Sequence, residues 1–220
     1  MIDFRTLALK PREDKGTLIV YGGLDGAGKT TQIEMLLDYA RSKGVTATVL
    51  KQPTQAIRDM KVFRVFNASP GDTVTDYRGL LLFTLGDRIL QQSTEIVPRL
   101  ARGEFVICDR YVFCTMSNVI ARGLQAEDWL SGIFSLILRP DLAVYLDVDA
   151  DTALKRIRSR PEEAHIYVDA DHLSAMQTGY RTLAEAGLMK QFDSAHTGPQ
   201  ALFESIKAEI EKRSAAFGSA

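Results

Sequence analysis

Residues 17–31 read Thr-Leu-Ile-Val-Tyr-Gly-Gly-Leu-Asp-Gly-Ala-Gly-Lys-Thr-Thr. Within them, Gly23-x4-Gly28-Lys29-Thr30 matches the P-loop pattern G-x-x-x-x-G-K-[ST]. The β-branched and aromatic run Thr17–Tyr21 predicts a buried strand before the loop, and apolar residues recur at helical spacing after it. The alternative is a glycine-rich turn that merely precedes a helix. Because strand, loop, Lys-Thr pair and helix occur together, the sequence predicts a nucleoside triphosphate site.

The composition of the predicted loop fits phosphate binding. Glycines allow consecutive backbone N–H groups to turn toward phosphate oxygens, and the following helix N-terminus adds partial positive charge. Lys29 is expected to reach the β- and γ-phosphates, and the Thr30 hydroxyl is expected to bind Mg²⁺. The predicted nucleotide-binding residues of the loop are Gly23, Gly26, Ala27, Gly28, Lys29, Thr30 and Thr31.

Composition narrows the class of protein. A hydrophobic fraction of 45% and a charged fraction of 25% in 220 residues are typical of a globular domain. The net charge of −1 gives no electrostatic basis for binding nucleic acid or a membrane surface. No apolar run approaches the roughly 18 residues of a membrane span, and no signal-peptide pattern opens the chain. Cys108 and Cys114 match no metal spacing and are expected to be free thiols, so we expect a cytoplasmic protein.

Strands and helices are predicted to alternate along the chain. The predicted strands are 17–21, 45–50, 104–109, 142–147 and 189–193. The predicted helices begin near residue 30 and continue over 56–66, 72–100, 112–121, 126–138, 151–159, a segment ending near 186, and 199–213. Asp72 is the expected N-cap of the long helix. This alternation predicts an α/β protein with the three-layer P-loop NTPase fold, a mainly parallel sheet of about five strands with helices on both faces.

The expected domain organisation has three parts. Residues 1–16 are expected to be an N-terminal extension with little contribution to the core, because they are mixed in character and rich in charge. Residues 17–215 form the predicted single P-loop domain, and residues 216–220 a C-terminal tail.

Acidic and basic residues follow two of the predicted strands. An acidic residue that ends an apolar strand is what P-loop enzymes use to hold Mg²⁺, and Asp109 fits this role. The alternative role for Asp109 is to cap the next helix. Arg110 beside it has a fork of donors suited to a phosphate. Asp147 and Asp149 end another strand, and without a matching arginine they are interpreted as caps of the helix beginning near Thr152.

The densest basic cluster of the chain is Lys155, Arg156, Arg158 and Arg160. A run of this kind is usually a solvated helix face. Here it precedes an irregular polar segment, which is also typical of a mobile lid over phosphates. From the residues alone, both interpretations stay open.

Taken together, these motifs resemble those of the thymidylate kinase family over residues 17–213. Arg156-x-Arg158-x-Arg160 is similar to the lid of the subgroup whose catalytic arginine lies in the lid, and Gly26 agrees with that subgroup. The other segments that carry the resemblance are Gly22–Gln32, Leu81-Leu-Phe83 with Asp87-Arg88, Cys108-Asp-Arg-Tyr111, Arg139-Pro-Asp-Leu142 and Tyr145-Leu-Asp-Val148.

The resemblance implies a kinase that transfers a phosphoryl group from ATP, with Mg²⁺, to a nucleoside monophosphate, first of all dTMP to dTDP. It implies a lid at about 155–170 and a homodimer formed through helices such as 72–100. The implied catalytic residues are Lys29, Asp109, Arg158 and Arg160, with Arg156 on ATP and Thr30 and Asp109 on the metal. The implied acceptor residues are Asp25 at the sugar, Phe83 stacked on the base, Arg88 reading the base, Arg110 on the phosphate, and also Pro53, Tyr111 and Asn118.

The sequence departs from the family pattern in four places. Phe83 and Arg88 are five residues apart where the family has four, which rotates the arginine by about 100° on a regular helix unless a π-bulge absorbs the extra residue. We expect Phe83 to face the crevice, since Leu82 and Leu85 can serve the core. The other three departures are Gln52-Pro53-Thr54 for Glu-Pro-Gly-Gly, Cys114-Thr115 with Ser117-Asn118-Val119 for Ser-Ser and Tyr-Gln-Gly, and Ala164-His165 for the lid's Asp-Arg.

Because of these departures, the sequence leaves the identity of the acceptor open. The phosphate-handling segments are intact, so an enzyme is expected, and modest selectivity among acceptors is expected with it. The alternatives are a relative that phosphorylates another nucleotide or small molecule, and a non-catalytic ATP-binding regulatory protein.

Overall fold

A computed structural model describes residues 2–68, 76–159 and 169–217 of the chain. Five strands form one parallel sheet in the order β2-β3-β1-β4-β5. Their bounds are β1 Thr17–Gly22, β2 Ala47–Lys51, β3 Phe105–Asp109, β4 Leu142–Asp147 and β5 Lys190–Asp193. The predicted α/β fold with a five-stranded parallel sheet flanked by helices is confirmed, and each predicted strand start lies within two residues of the observed one.

The described helices connect these strands. The longest uninterrupted α-helices are α4 Tyr77–Gln91 and α9 Ala170–Glu185. A π-helical turn, Gln92–Ile96, joins α4 to α5 Val97–Ala101. The other helices are α1 Lys29–Ser42, α2 Gln55–Asp59, α3 Lys61–Ala68, α6 Val112–Ala121, α7 Trp129–Phe134, α8 Ala150–Arg158 and α10 Pro199–Glu211.

Three helix predictions need correction. The helix predicted over 56–66 is two helices, because Met60 between them has extended backbone (φ −62°, ψ 131°). The helix predicted over 126–138 is limited to α7. The described part of the long helix begins after Asp76, whose side chain accepts a hydrogen bond from the backbone N–H of Arg78 at 2.9 Å. Asp72, the predicted cap, lies outside the described residues.

The core is built around the three central strands. β1 and β4 are buried along their whole length, as parallel strands covered on both faces require. Leu18, Ile19 and Val20 of β1 are completely buried. Their short, branched side chains suit a strand that is enclosed by two neighbours and by helices. Because all strands run in one direction, their carboxyl ends meet at one edge, where the glycine-rich loop and Asp109 lie.

The N-terminal segment contributes more to the core than the sequence predicted. Phe4 and Leu9 are buried in the main hydrophobic cluster, and Lys10 pairs with Leu138 in a β-bridge. At the other end, the Phe217 ring lies 5.1 Å from that of Tyr39, between ring centroids. The division into 1–16, 17–215 and 216–220 stays a prediction. Among the described residues, no helix has the length and apolar character needed to cross a membrane.

Candidate active site

A cavity of about 450 Å³ opens beside the glycine-rich loop, at the carboxyl edge of the sheet. Its loop end contains Asp25, Arg58, Arg110 and Cys114, with Gly23 and Leu24. Its aromatic end contains Phe63, Phe66, Tyr77, His172, Leu173 and Met176. The two ends differ in chemistry: one is charged, and the other offers rings and apolar surface.

The glycine-rich loop holds a buried cation. The Lys29 Nζ donates to the backbone oxygens of Gly23 at 3.1 Å and Leu24 at 2.7 Å. Burial, and then the charge of Arg110, lower the pKa of Lys29 to about 8. Gly26 has φ +80°, and a Cβ there would lie 2.6 Å from the Ala153 oxygen, so only glycine fits. The loop is therefore closed tightly against α8 around its lysine.

The remaining loop residues surround the start of α1. Gly28 has φ +89° and precedes the first helical residue, and a Cβ there would meet no atom within 4 Å. Thr30 and Thr31 are exposed in the first turn, and Ala27 is buried. The free backbone N–H groups of a helix N-terminus thus border open space, which is the arrangement that binds phosphate.

Arg110 and Asp25 form an ion pair across the loop end of the cavity. The Arg110 backbone has φ +68°, and its N–H donates to the Tyr21 oxygen at 2.9 Å. This conformation directs the guanidinium toward the loop, where it also donates to the Cys114 sulfur at 3.4 Å. The charge of Arg110 holds the pKa of Asp25 well below its usual range, and Asp25 raises that of Arg110.

Asp109 ends β3 and does not cap the next helix. Tyr111 is the N-cap residue of α6, and within the part of the chain that the structure describes no backbone N–H of this helix donates to Asp109, so the alternative role for Asp109 is wrong. The Asp109 Oδ1 is buried and has no hydrogen-bond partner among the described residues, and Oδ2 lies 3.8 Å from the Lys51 Nζ. An unpaired buried carboxylate oxygen fits a bound cation.

The described residues contain no group of three or more acidic, histidine or cysteine side chains that could hold a metal ion by themselves. Mg²⁺ is usually bound by one or two protein groups together with waters and substrate phosphates. Asp109 at the end of β3 and the exposed Thr30 in the first turn of α1 fit that mode of binding.

Arg88 lies in the cavity, and Phe83 does not. The Arg88 guanidinium is buried, with Nε donating to the Thr115 hydroxyl at 3.1 Å and one terminal nitrogen donating to the Gln52 Oε1 at 2.9 Å. Thr84, one turn earlier, lines the same cavity. Phe83 is 53% exposed, so the expectation that it faces the crevice is wrong.

The extra residue between Phe83 and Arg88 therefore displaces the phenylalanine and not the arginine. The π-helical turn Gln92–Ile96 lies after Arg88 and cannot absorb the difference. The Phe83–Arg88 segment is regular α-helix, in which residues four apart share a face and residues five apart do not.

Of the other predicted acceptor residues, some line the cavity and one does not. Pro53 and Asn118 line the cavity. Tyr111 does not: its ring is buried in the core and its hydroxyl donates to the Leu138 oxygen at 3.0 Å. Its predicted place in the acceptor site is corrected, because the Arg110 backbone turns the next side chain inward.

Arg58 was not predicted and lines the loop end. Its Nε donates to the Pro53 oxygen at 2.7 Å, and a terminal nitrogen donates to the Gln52 oxygen at 3.2 Å. Thr54 of the same loop donates from its N–H and hydroxyl to Asp87 of α4. The loop after β2 is thus fixed to the neighbours of Arg88. The one sequence signal was an arginine four residues after Thr54 in a short helix.

The basic cluster is only partly described. The Arg156 guanidinium donates to the Gly26 oxygen at 3.3 Å and to the Ser194 oxygen at 2.9 Å, which brings it to the glycine-rich loop. Arg158 is exposed at the last residue of α8. Arg160, with most of the predicted lid, lies outside the described residues.

The two aspartates after β4 have different roles. Asp149 caps α8 as predicted, accepting from the Thr152 N–H at 2.8 Å. Asp147 is not a cap and does have a matching arginine, since its Oδ2 lies 3.0 Å from a terminal nitrogen of Arg181. It also accepts from three uncharged side chains, those of Tyr145, Gln177 and Gln191. The earlier interpretation failed because Arg181 is distant in sequence.

A parallel sheet, a glycine-rich loop with a buried lysine, and a basic cavity beside it define a P-loop phosphotransferase. A sequence model of the family described as "Thymidylate kinase" matches residues 22–206. Because that match spans most of the 220 residues, the chain belongs to the thymidylate kinase family. The predicted family and enzyme class, a nucleoside monophosphate kinase, are confirmed.

Individual relatives agree. The chain is 30% identical over 203 residues to "Probable thymidylate kinase" of Staphylothermus marinus, covering 91% of this chain and 95% of the relative. It is 35% identical over 170 residues to "Thymidylate kinase" of Desulfotalea psychrophila, covering 77% and 82%. A "Probable thymidylate kinase" of Pyrococcus horikoshii is 35% identical over 149 residues, covering 66% and 72%.

Proposed function

We propose that this protein transfers the γ-phosphoryl group of ATP to dTMP and forms dTDP. The observation that carries the proposal is the single cavity that joins the glycine-rich loop to an aromatic end through arginines. Arg58 and Arg110 at the loop end suit a phosphate dianion, and the cavity of about 450 Å³ has room for a nucleoside toward its aromatic end. The names of the relatives at 30% and 35% identity support dTMP as the acceptor.

The glycine-rich loop is the proposed ATP site. Lys29 neutralises phosphate charge, and the backbone N–H groups at the start of α1 donate hydrogen bonds to the phosphate oxygens. Arg156, which already bridges the Gly26 and Ser194 oxygens, lies where it can contact the nucleotide. Thr30 and Asp109 are the proposed Mg²⁺ residues. Mg²⁺ held by these two residues would supply positive charge to offset the charge that develops on the phosphates.

The acceptor is proposed to lie with its phosphate on Arg58 and Arg110 and its base toward the other end. Asp25, paired with Arg110, faces the sugar and keeps that guanidinium oriented. Arg88 is held by Gln52 and Thr115 through two of its nitrogens, so its fork is fixed before an acceptor arrives. Pro53 and Asn118 complete the wall. In this reaction positioning and charge neutralisation supply most of the rate, so no strong general base is needed.

A lid arginine is proposed to contact the transferring phosphoryl group. Arg158 ends α8, which packs its Ala153 backbone against Gly26 of the loop. Either Arg158 or Arg160 can serve, since Arg158 is the last residue of the helix that contacts the glycine-rich loop and position 160 comes two residues later in the chain.

We also propose a homodimer formed through α4. Phe83 and Leu90, seven residues apart, are 53% and 66% exposed, and Leu82 is 52% exposed. Gly86, between them, leaves open space around its Cα. Large apolar side chains beside a glycine on one exposed helix fit close packing against a second copy of the same helix. The two free cysteines agree with a reducing compartment, and we place the protein in the cytoplasm.

The test is an ADP-release assay with ATP and Mg²⁺ across nucleoside monophosphates and nucleosides. We expect dTMP to give the fastest turnover. If another compound is phosphorylated and dTMP is not, the proposed acceptor is wrong and that compound takes its place. Slow ATP hydrolysis that no acceptor stimulates would contradict the kinase and favour a regulatory ATP-binding protein.

A further inference from the structure

His172 of α9 lies at the aromatic end of the cavity. Its backbone N–H donates to the Asp169 Oδ1 at 3.1 Å, in the capping turn that starts the helix. The side chain is half-buried and lines the cavity. Across residues 2–68, 76–159 and 169–217, no side chain or backbone group pairs with the ring. A polar group that is half-buried and unpaired in a cavity is available to a bound molecule.

The position of His172 relative to the cavity walls is fixed. α9 packs closely on α6, because a Cβ at Gly179 would lie 2.6 Å from the Ser117 oxygen. The Ser117 hydroxyl donates to the Met176 oxygen at 2.7 Å. Asp147 holds the next turns of α9 through Gln177 and Arg181. Thr115 and Asn118 also belong to α6. The packing of α9 on α6 therefore fixes the position of the imidazole relative to the groups around Arg88.

The surroundings of the imidazole favour its neutral form. Burial, and then the charge of Arg122 at the end of α6, lower the pKa of His172 below its ordinary value, and Asp169 opposes them. Arg122 itself lies over the ring of Tyr77 at 4.5 Å, on the α4 side of the cavity. A neutral imidazole offers one donor and one acceptor, whereas the Arg88 guanidinium offers donors alone.

We propose that His172 is a specificity-determining residue that accepts a hydrogen bond from the base of the acceptor nucleotide. The inference rests on the proposed function. A thymine or uracil edge presents two carbonyl oxygens on either side of an N3–H. Arg88 can donate to a carbonyl, but its donors cannot serve the N3–H, which needs an acceptor. Neutral His172 supplies that acceptor. Protonated His172 has donors alone and opposes the N3–H.

The experiment compares His172→Ala, His172→Gln and Ser174→Ala with the wild type. Ser174 is exposed on the same helix, and its hydroxyl donates to the Ala170 oxygen, so it controls for changes in α9. KM and kcat for dTMP and dCMP are measured from about pH 5.5 to 8. A lost hydrogen bond to a neutral base is worth about tenfold in affinity. We expect His172→Ala to raise KM for dTMP about tenfold with little change in kcat.

The pH profile separates recognition from a structural role. In the wild type, the preference for dTMP over dCMP falls as pH drops through the pKa of His172. His172→Gln keeps an amide acceptor at every pH and abolishes this dependence, and Ser174→Ala matches the wild type. A KM for dTMP within twofold of wild type in His172→Ala overturns the inference.

A second readout keeps the inference separate from the proposed function. Wild-type turnover of dTMP tests the function by itself. The imidazole resonance of His172, assigned in NMR spectra by its loss in His172→Gln, reports binding without turnover. Saturating dTMP shifts it and lowers its pKa, while the exposed His196, paired with Asp193, serves as internal reference. No shift of the His172 resonance overturns the inference, whether or not the protein turns over dTMP.

Discussion

The Arg110 guanidinium and the Asp25 carboxylate are paired at the point where the glycine-rich loop meets the acceptor cavity. The pair connects residues that are 85 positions apart in the chain. The Asp25 carboxylate neutralises part of the Arg110 charge while no phosphate is present. A second contact of the guanidinium, with the Cys114 sulfur, helps to fix its direction.

Replacing Arg110 tests the acceptor phosphate. We expect Arg110→Ala to lower kcat/KM for dTMP about a hundredfold, because a hydrogen bond to a charged group is lost, and to leave KM for ATP nearly unchanged. For Arg110→Lys we expect a kcat/KM for dTMP between those of the wild type and Arg110→Ala, since lysine keeps the charge but lacks the guanidinium fork. Steady-state kinetics with each substrate varied in turn are the measurement. Arg41→Ala, on an exposed arginine paired with Asp38, is the control. An equal loss for both substrates would remove Arg110 from the acceptor site.

Replacing Lys29 tests the ATP site. We expect Lys29→Ala to keep the fold and lose most turnover, because the ammonium neutralises phosphate charge once ATP is bound. Circular dichroism and the ADP-release assay, run on the same preparation, check both parts. A folded variant with near-wild-type activity would refute the assignment of the loop.

The pKa of Lys29 predicts how ATP binding responds to pH. In the free protein this pKa is about 8, chiefly because of burial, and phosphate oxygens beside the ammonium raise it. Below pH 8 the lysine is charged before and after binding, so affinity is at its maximum. Above pH 8 the free lysine is neutral and binding takes up a proton, so affinity falls by up to tenfold per pH unit. Calorimetry in buffers of different ionisation enthalpy measures the uptake, and Lys29→Met should show none from this site.

The lid is tested through its arginines. If Arg158 or Arg160 contacts the transferring phosphoryl group, its alanine variant should lose on the order of 10³-fold in kcat, with a much smaller rise in KM for ATP. Single-turnover kinetics separate this loss from slow product release. Less than a tenfold loss in each of the two variants would identify the cluster as a solvated helix face.

The dimer is tested on α4. We expect Leu90→Glu to convert a dimer to a monomer, because a charge would be buried at the proposed contact. Analytical ultracentrifugation measures the mass in solution. Val65→Glu, at a 45% exposed position on α3, is the matched control and should stay dimeric. A wild-type protein that is monomeric at micromolar concentration would contradict the proposed interface.

The sequence was most informative where a structural feature is local. The strand, loop and helix around Lys29 follow from residues 17–40, and the positions of β1, β3 and β4 follow from short apolar runs. The errors arose where the outcome depends on contacts between distant segments. Phe83 was placed by its similarity to a family motif, but the face it occupies is set by Thr84 and Arg88, which point into the cavity.

The same limit explains what the sequence did not predict in the site. The aromatic end of the cavity combines residues from α3, α4 and α9, and nothing in their local pattern distinguishes them from ordinary core residues. The arginine that pairs with Asp147, Arg181, lies 34 positions later in the chain. Arg58 carried one weak signal, its position shortly after the loop that follows β2.

The contacts of Asp147 also bear on the connection between α8 and α9. Its carboxylate joins β4 to α9 and β5, and the strand pair β4–β5 and the α6–α9 contact hold the same two parts of the protein together. The described parts on either side of residues 160–168 are thus joined by non-covalent contacts of their own. Evolution can therefore vary the length and content of this connection without rebuilding the sheet beneath it.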